Sequence, residues 1–169
     1  MASESIAPKV LVGCPSSDHK AYCIAEYAHT VRGLSYDNYD ILLVDNSENN
    51  LKEKHPGTYA YAEIIKSHGL PVIHARFLPH ARDRIIAGRN ILRQKVLDQG
   101  FDYFLSLEQD VLPPQDIIQQ LLKHNKRIVS GVYSTYQNIN GQTRLLPLLF
   151  MPLNEANNTM RYLTEAEIS

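Results

Sequence analysis

Residues 102–122, DYFLSLEQDVLPPQDIIQQLL, decide how this chain folds. Tyr103 to Leu107 is a short apolar run of strand length, and Glu108, Gln109 and Asp110 end it with a polar cluster. Pro113 and Pro114 cannot continue a strand, but they suit the first turn of a helix. Ile117, Ile118, Leu121 and Leu122 then recur at helical spacing. The stretch reads as strand, acidic turn and helix, and the same unit repeats upstream.

Lys9 to Gly13 (KVLVG) is a β-branched run that stops within one strand length. From about Lys20 to Arg32 the spacing of Ala21, Ile24, Ala25, Ala28 and Val31 lines one helical face, and Gly33 ends it. Tyr39 to Val44 is a second strand, running into Asp45, Asn46 and Ser47. Thr58 to His68 reads as helix stopped by Gly69, and Pro71 to Phe77 as a third strand. Arg82 to Gln99 carries Ile85, Ile86, Ile91, Leu92 and Val96 at helical spacing before Gly100. Ile128 to Val132 returns to strand. Tyr133 to Ile139 and Thr143 to Phe150 then form a β-hairpin around Asn140-Gly141, a pair suited to a type I′ turn.

Strands alternating with helices imply an α/β fold, a three-layer α/β/α arrangement around a mostly parallel sheet, followed by the hairpin. With 169 residues, 44% of them hydrophobic, the chain suits a single domain over 1–169. Thr164 to Glu167 has the spacing of a capping box, a helix start with only two residues after it, so the expectation is a natural protein that continues further.

Seventeen basic residues against eighteen acidic ones give a net charge of −1, which offers nucleic acid no general attraction. No apolar run approaches membrane-spanning length, and the first residues lack a basic-then-apolar leader. Cys14 and Cys23 have no metal-finger spacing and read as buried free thiols, which fits a reducing, cytoplasmic compartment. There is no GxGxxG, P-loop or GxSxG pattern, so redox, NTPase and serine-hydrolase classes lose their main support.

In an open parallel sheet, ligands bind beyond the carboxyl ends of the strands. That rule selects Pro15, Ser16 and Ser17 after strand one, Asp45 and Ser47 after strand two, and Glu108, Gln109 and Asp110 after strand four. Hydroxyls, backbone groups and a carboxylate in the first two clusters suit a nucleoside, although Asp45-Asn46-Ser47 is equally a self-bonded turn. Glu108 and Asp110 are hard oxygen ligands that alternation points the same way, suited to Mg²⁺ or Mn²⁺ on a diphosphate. The plain alternative is that Asp110 only organises the turn into the next helix. Arg82, Arg89 and Arg93 form a cationic stripe with Asn90 beside it. Its N-terminal end suits a diphosphate, while Arg93 reads as solvated surface.

Taken in order, VLVGCPSS, ILLVDNSEN, GRN, DYFLSLEQDVLPP and IVSGVY resemble the family 2 type GT-A glycosyltransferases, over roughly Lys9 to Tyr133. The resemblance implies a nucleobase site at Pro15, Ser16 and Ser17, and a uracil or ribose contact at Asp45. It also implies that Gly88-Arg89-Asn90 stands for an Ala-Arg-Asn motif, and that Glu108-Gln109-Asp110 stands for the metal-binding Asp-x-Asp. Glu108 departs from that pattern, so Asp110 is the expected metal ligand. Transfer of a sugar from a nucleoside diphosphate donor, a UDP-sugar first, to an unidentified acceptor follows. A catalytic base in the family comes from a later acidic residue. Glu165 and Glu167 are late candidates, but the capping box claims Glu167, and no base is assigned. The rival classes are a non-catalytic nucleotide-sugar-binding module and a sugar nucleotidyltransferase, the latter lacking a Gly-rich triphosphate loop after strand one.

Overall fold

The structure, a computed structural model, describes residues 7–48, 61–139, 141–147, 150–154 and 159–162. The chain divides into two units, Met1–Gln120 and Leu121–Ser169. In the first, β1 (Val10–Ser16), β2 (Tyr39–Asp45), β3 (Val72–His74) and β4 (Tyr103–Ser106) form a four-stranded parallel sheet in the order β3-β2-β1-β4. β1 is central and buried at every residue, which explains its unbroken apolar run.

β1 runs three residues beyond its expected end at Gly13, straight through Pro15. Residues of one parity along a strand bond to one neighbour. The Gly13 carbonyl accepts from the Leu107 N–H at 3.2 Å on the β4 side, and the Ser16 carbonyl from the Asn46 N–H at 2.9 Å on the β2 side. Pro15 therefore turns its missing N–H toward the β4 side, past the point where β4 ends, and no ladder bond is lost.

The helices follow the apolar spacing with instructive shifts. A 3₁₀ turn at Asp18–Cys23 precedes α1 (Ile24–Arg32). Its tighter winding turns Cys23 inward in place of Ala21, and α1 buries Ile24, Tyr27, Ala28 and Val31 while Ala25 stays exposed. α2 is Tyr61–Ser67, ended by Gly69 at φ 75°. The expected helix start at Thr58 lies outside the described residues. α3 (Ala81–Asp98) stops before Gly100, at φ 64°. It buries Gly88 and Leu92 but leaves Ile85 and Ile86 nearly half exposed, so its contact face is narrower than the apolar spacing suggests. Leu92 joins Leu11, Leu42, Val44, Ala75 and Phe101 in the core between α3 and the sheet. α4 is Ile117–Leu122.

Two strand expectations are corrected. β3 stops at His74 and does not reach Phe77, because its partner β2 ends at Asp45, opposite His74. Ile128 to Val132 is not a strand; Ile128 is 91% exposed and pairs with nothing among the described residues. A β-branched run becomes a strand only where a neighbour supplies bonds and cover.

In the second unit, β5 (Ser134–Ile139) pairs antiparallel with β6 (Gln142–Pro147), Ile139 opposite Gln142. The hairpin is therefore present, with Gly141 at φ 80° and its N–H bonded to Asn138 Oδ1 at 2.9 Å. β6 ends at Pro147, short of Phe150, which opens another antiparallel pair, β7 (Phe150–Asn154) with β8 (Thr159–Tyr162). The capping box at 164–167 lies outside the described residues. Among those residues, no helix is long and apolar enough to cross a membrane.

Candidate functional site

Parallel pairing brings the carboxyl ends of β1 and β2 side by side, Ser16 opposite Asp45, and places His74 on the far side of Asp45. The turn after β4 joins this rim through Gln109, which is 2% exposed. The Ser16 hydroxyl donates to Gln109 Oε1, and Gln109 Nε2 donates to the Lys20 carbonyl at 3.0 Å and the Tyr61 hydroxyl at 2.6 Å. The three polar clusters picked out by the strand-end rule thus meet at one edge, tied by a buried network of Ser16, Tyr61 and Gln109.

That network supports the rim; it does not face a ligand. Gln109 and Ser16 are buried, and Tyr61, 1% exposed, also lies within 3.1 Å of Ser16 Oγ. Burial pushes the Tyr61 phenol above its ordinary range. Nothing in the sequence separates this tyrosine from a plain core residue. Removing its hydroxyl strips a partner from two buried polar groups, so Tyr61→Phe should lose about 1–3 kcal/mol of stability in urea unfolding.

Helix α3 is held against the same edge by close packing. A Cβ on Gly88 would stand 2.9 Å from Pro15 Cβ, so only glycine lets the helix lie this tightly on β1. The contact brings the next residue, Arg89, to Glu108 at 2.9 Å. Arg82 and Asn90 are exposed and make no hydrogen bond or ion pair among the described residues.

Glu108 and Asp110 lie past the end of β4, in a turn closed by the Val111 N–H on the Glu108 carbonyl at 3.0 Å. Backbone atoms close this turn; the Asp110 carboxylate pairs instead with Lys20. Leu107 and Gln109 point inward while the side chains of Glu108 and Asp110 remain 46% and 39% exposed. Burial first and then the Glu108 carboxylate push the buried Cys14 thiol up to about 12, and Asp110 acts in the same direction. The bond to Asp110 in turn raises the Lys20 ammonium above the ordinary lysine range. Cys14 and Cys23 are free and buried.

Asp45 is 1% exposed and already engaged. Oδ1 accepts the Ser47 N–H at 2.9 Å and the Ser47 hydroxyl at 2.6 Å, and Oδ2 meets His74 Nδ1 at 2.8 Å. Ser47 Oγ also accepts the Asp18 N–H at 2.8 Å, tying the turn after β1 to the turn after β2. Ser17 is half-buried, and its carbonyl accepts the Lys20 N–H at 2.8 Å.

His74 and Lys20 are the rim groups that sequence reasoning passed over. The strand-end rule selects His74 once β3 is known to stop there, and Lys20 is the first basic residue after the Pro-Ser-Ser turn. Among the described residues no group of three or more His, Cys, Asp or Glu could hold a metal ion unaided. No protein-family model matches this chain, and no curated protein matches it, so the rim must be understood from its own atoms.

Proposed function

We propose that this rim binds a nucleoside diphosphate sugar with a divalent cation, and that the protein is a glycosyltransferase of the GT-A type, similar to family 2, with a three-layer α/β/α core. The observation that carries the reading is the meeting of the β1, β2 and β4 ends at one edge, with the outward carboxylates of Glu108 and Asp110 beside it. The nucleoside lies over the ends of β1 and β2 at the half-buried Ser17, with Pro15, Ser16, Asp45, Ser47 and Gln109 as the buried braces beneath it, and the diphosphate lies toward Asp110.

Two half-exposed carboxylates fit Mg²⁺ or Mn²⁺, which take one or two protein carboxylates and complete their shell with phosphate and water. Bound there, the ion would neutralise charge on the departing nucleoside diphosphate. Asp110 and Glu108 hold it. Lys20 and Arg89, released from those carboxylates, and the exposed Arg82 and Asn90 serve the phosphate oxygens. The sugar goes to an acceptor that the rim does not identify, and no catalytic base is assigned.

The test is thermal unfolding with UDP and Mn²⁺. At a ligand concentration one hundred times Kd the folded state gains about 2.7 kcal/mol. For a chain of this size that raises Tm by roughly 5–10 °C. UDP giving no shift at any Mn²⁺ concentration would remove the proposal.

A further inference from the structure

Asp45 presents a difficulty for any direct contact with a ligand, and its neighbours resolve it. The carboxylate is buried, and each oxygen has a fixed use: Oδ1 takes Ser47, Oδ2 takes His74 Nδ1 at 2.8 Å. A carboxylate only accepts, so this bond fixes the ring proton on Nδ1 and leaves Nε2 of the neutral imidazole as an acceptor. The His74 side chain is 35% exposed at the last residue of β3, where the register sets it opposite Asp45.

Resting on the nucleotide reading above, we infer that His74 Nε2, aimed by Asp45, reads the nucleobase by accepting an imide N–H. A uracil-type base supplies that donor at N3. Cytosine presents an acceptor at the same atom, and two facing acceptors leave both unpaired. Asp45 is then a positioning residue and His74 the contact.

The tautomer makes the inference testable. In Asp45→Asn the Ser47 N–H still demands an oxygen at the Oδ1 place, so the amide oxygen stays there and the NH₂ faces His74 Nδ1. The ring proton moves to Nε2, and the acceptor becomes a donor. Calorimetric titration of the full chain with UDP, CDP and 2′-deoxy-UDP, each with Mn²⁺, reads the consequence.

Wild type should bind UDP roughly 10-fold to 100-fold more tightly than CDP. His74→Ala should erase that preference, and Asp45→Asn should shrink or reverse it; the half-exposed His74 site keeps one variant folded even if the buried one is not. A UDP-over-CDP ratio unchanged in His74→Ala overturns the inference while leaving metal-dependent UDP binding intact. So does a loss in His74→Ala confined to the distinction between UDP and 2′-deoxy-UDP, which would assign the imidazole to the ribose. Wild type that binds no UDP overturns the nucleotide reading, and this inference with it.

Discussion

Gly13→Ala should destabilise the protein by about 3 kcal/mol or more, enough to lower Tm by roughly 6–12 °C. A Cβ at this position would overlap the Leu42 carbonyl oxygen and stand 3.3 Å from Leu92 Cδ2. The first contact is with the backbone of the neighbouring strand, which cannot turn aside as a side chain can. Relief requires β1 and β2 to part, and the Leu92 contact presses α3 to lift from the sheet as well. Both movements strain the edge where Ser16 faces Asp45 and where Gly88 rests on Pro15. Denaturant unfolding measures the loss. A variant as stable as the wild type would mean that β1 and β2 are not paired in this register.

Asp110→Ala should remove the manganese-dependent part of UDP binding, weakening it by at least about 100-fold, the upper cost of disturbing even an outer partner of a metal ligand. Stability is not the confounding factor here. Asp110 and Lys20 are both 39% exposed, and an ion pair so open to water contributes at most about 1 kcal/mol. The variant should therefore fold, and titration calorimetry with and without Mn²⁺ separates metal-assisted from metal-free binding. Glu108→Ala should cost less, because Arg89 already balances that carboxylate and Asp110 remains. Equal UDP affinities for wild type and Asp110→Ala in Mn²⁺ would detach the acidic turn from the ligand.

Much of the parallel sheet was legible because its strands are buried runs bounded by glycine, proline or acidic residues. Lys9 to Gly13 and Tyr39 to Val44 announce β1 and β2 in this way, and Gly69 and Gly100 mark helix ends that the left-handed backbone requires. Other features depend on neighbours that local patterns do not contain. Pro15 looks like a strand breaker, yet it continues β1 because its blank side faces no partner. His74 looks like a mid-strand residue until β2 is seen to end opposite it. Ile128 to Val132 has strand composition but no paired neighbour among the described residues, and so forms no strand.

For the candidate site, the strand-end rule picks residues that do meet at one edge, but it blurs their roles along it. Asp45, Ser47 and Gln109 look like ligand groups, but each is buried and spends its hydrogen bonds on the rim itself. The outward groups are Glu108, Asp110, Lys20 and His74, and two of those carry no motif. Tyr61 lies 48 residues from Gln109 in the chain, a contact that only the fold creates. Spacing can point to a strand end; which side chain there still has a free lone pair depends on packing.

The claim that the rim is a metal-assisted nucleotide site is tested most directly by crystals grown with UDP and Mn²⁺, with anomalous diffraction collected above and below the manganese absorption edge. The expected map has a single manganese peak bonded to an Asp110 carboxylate oxygen and to diphosphate oxygens, with Lys20 withdrawn from Asp110 and the uracil beside His74. UDP bound elsewhere on the chain, or manganese seated away from Asp110 while Lys20 keeps its ion pair, would contradict it.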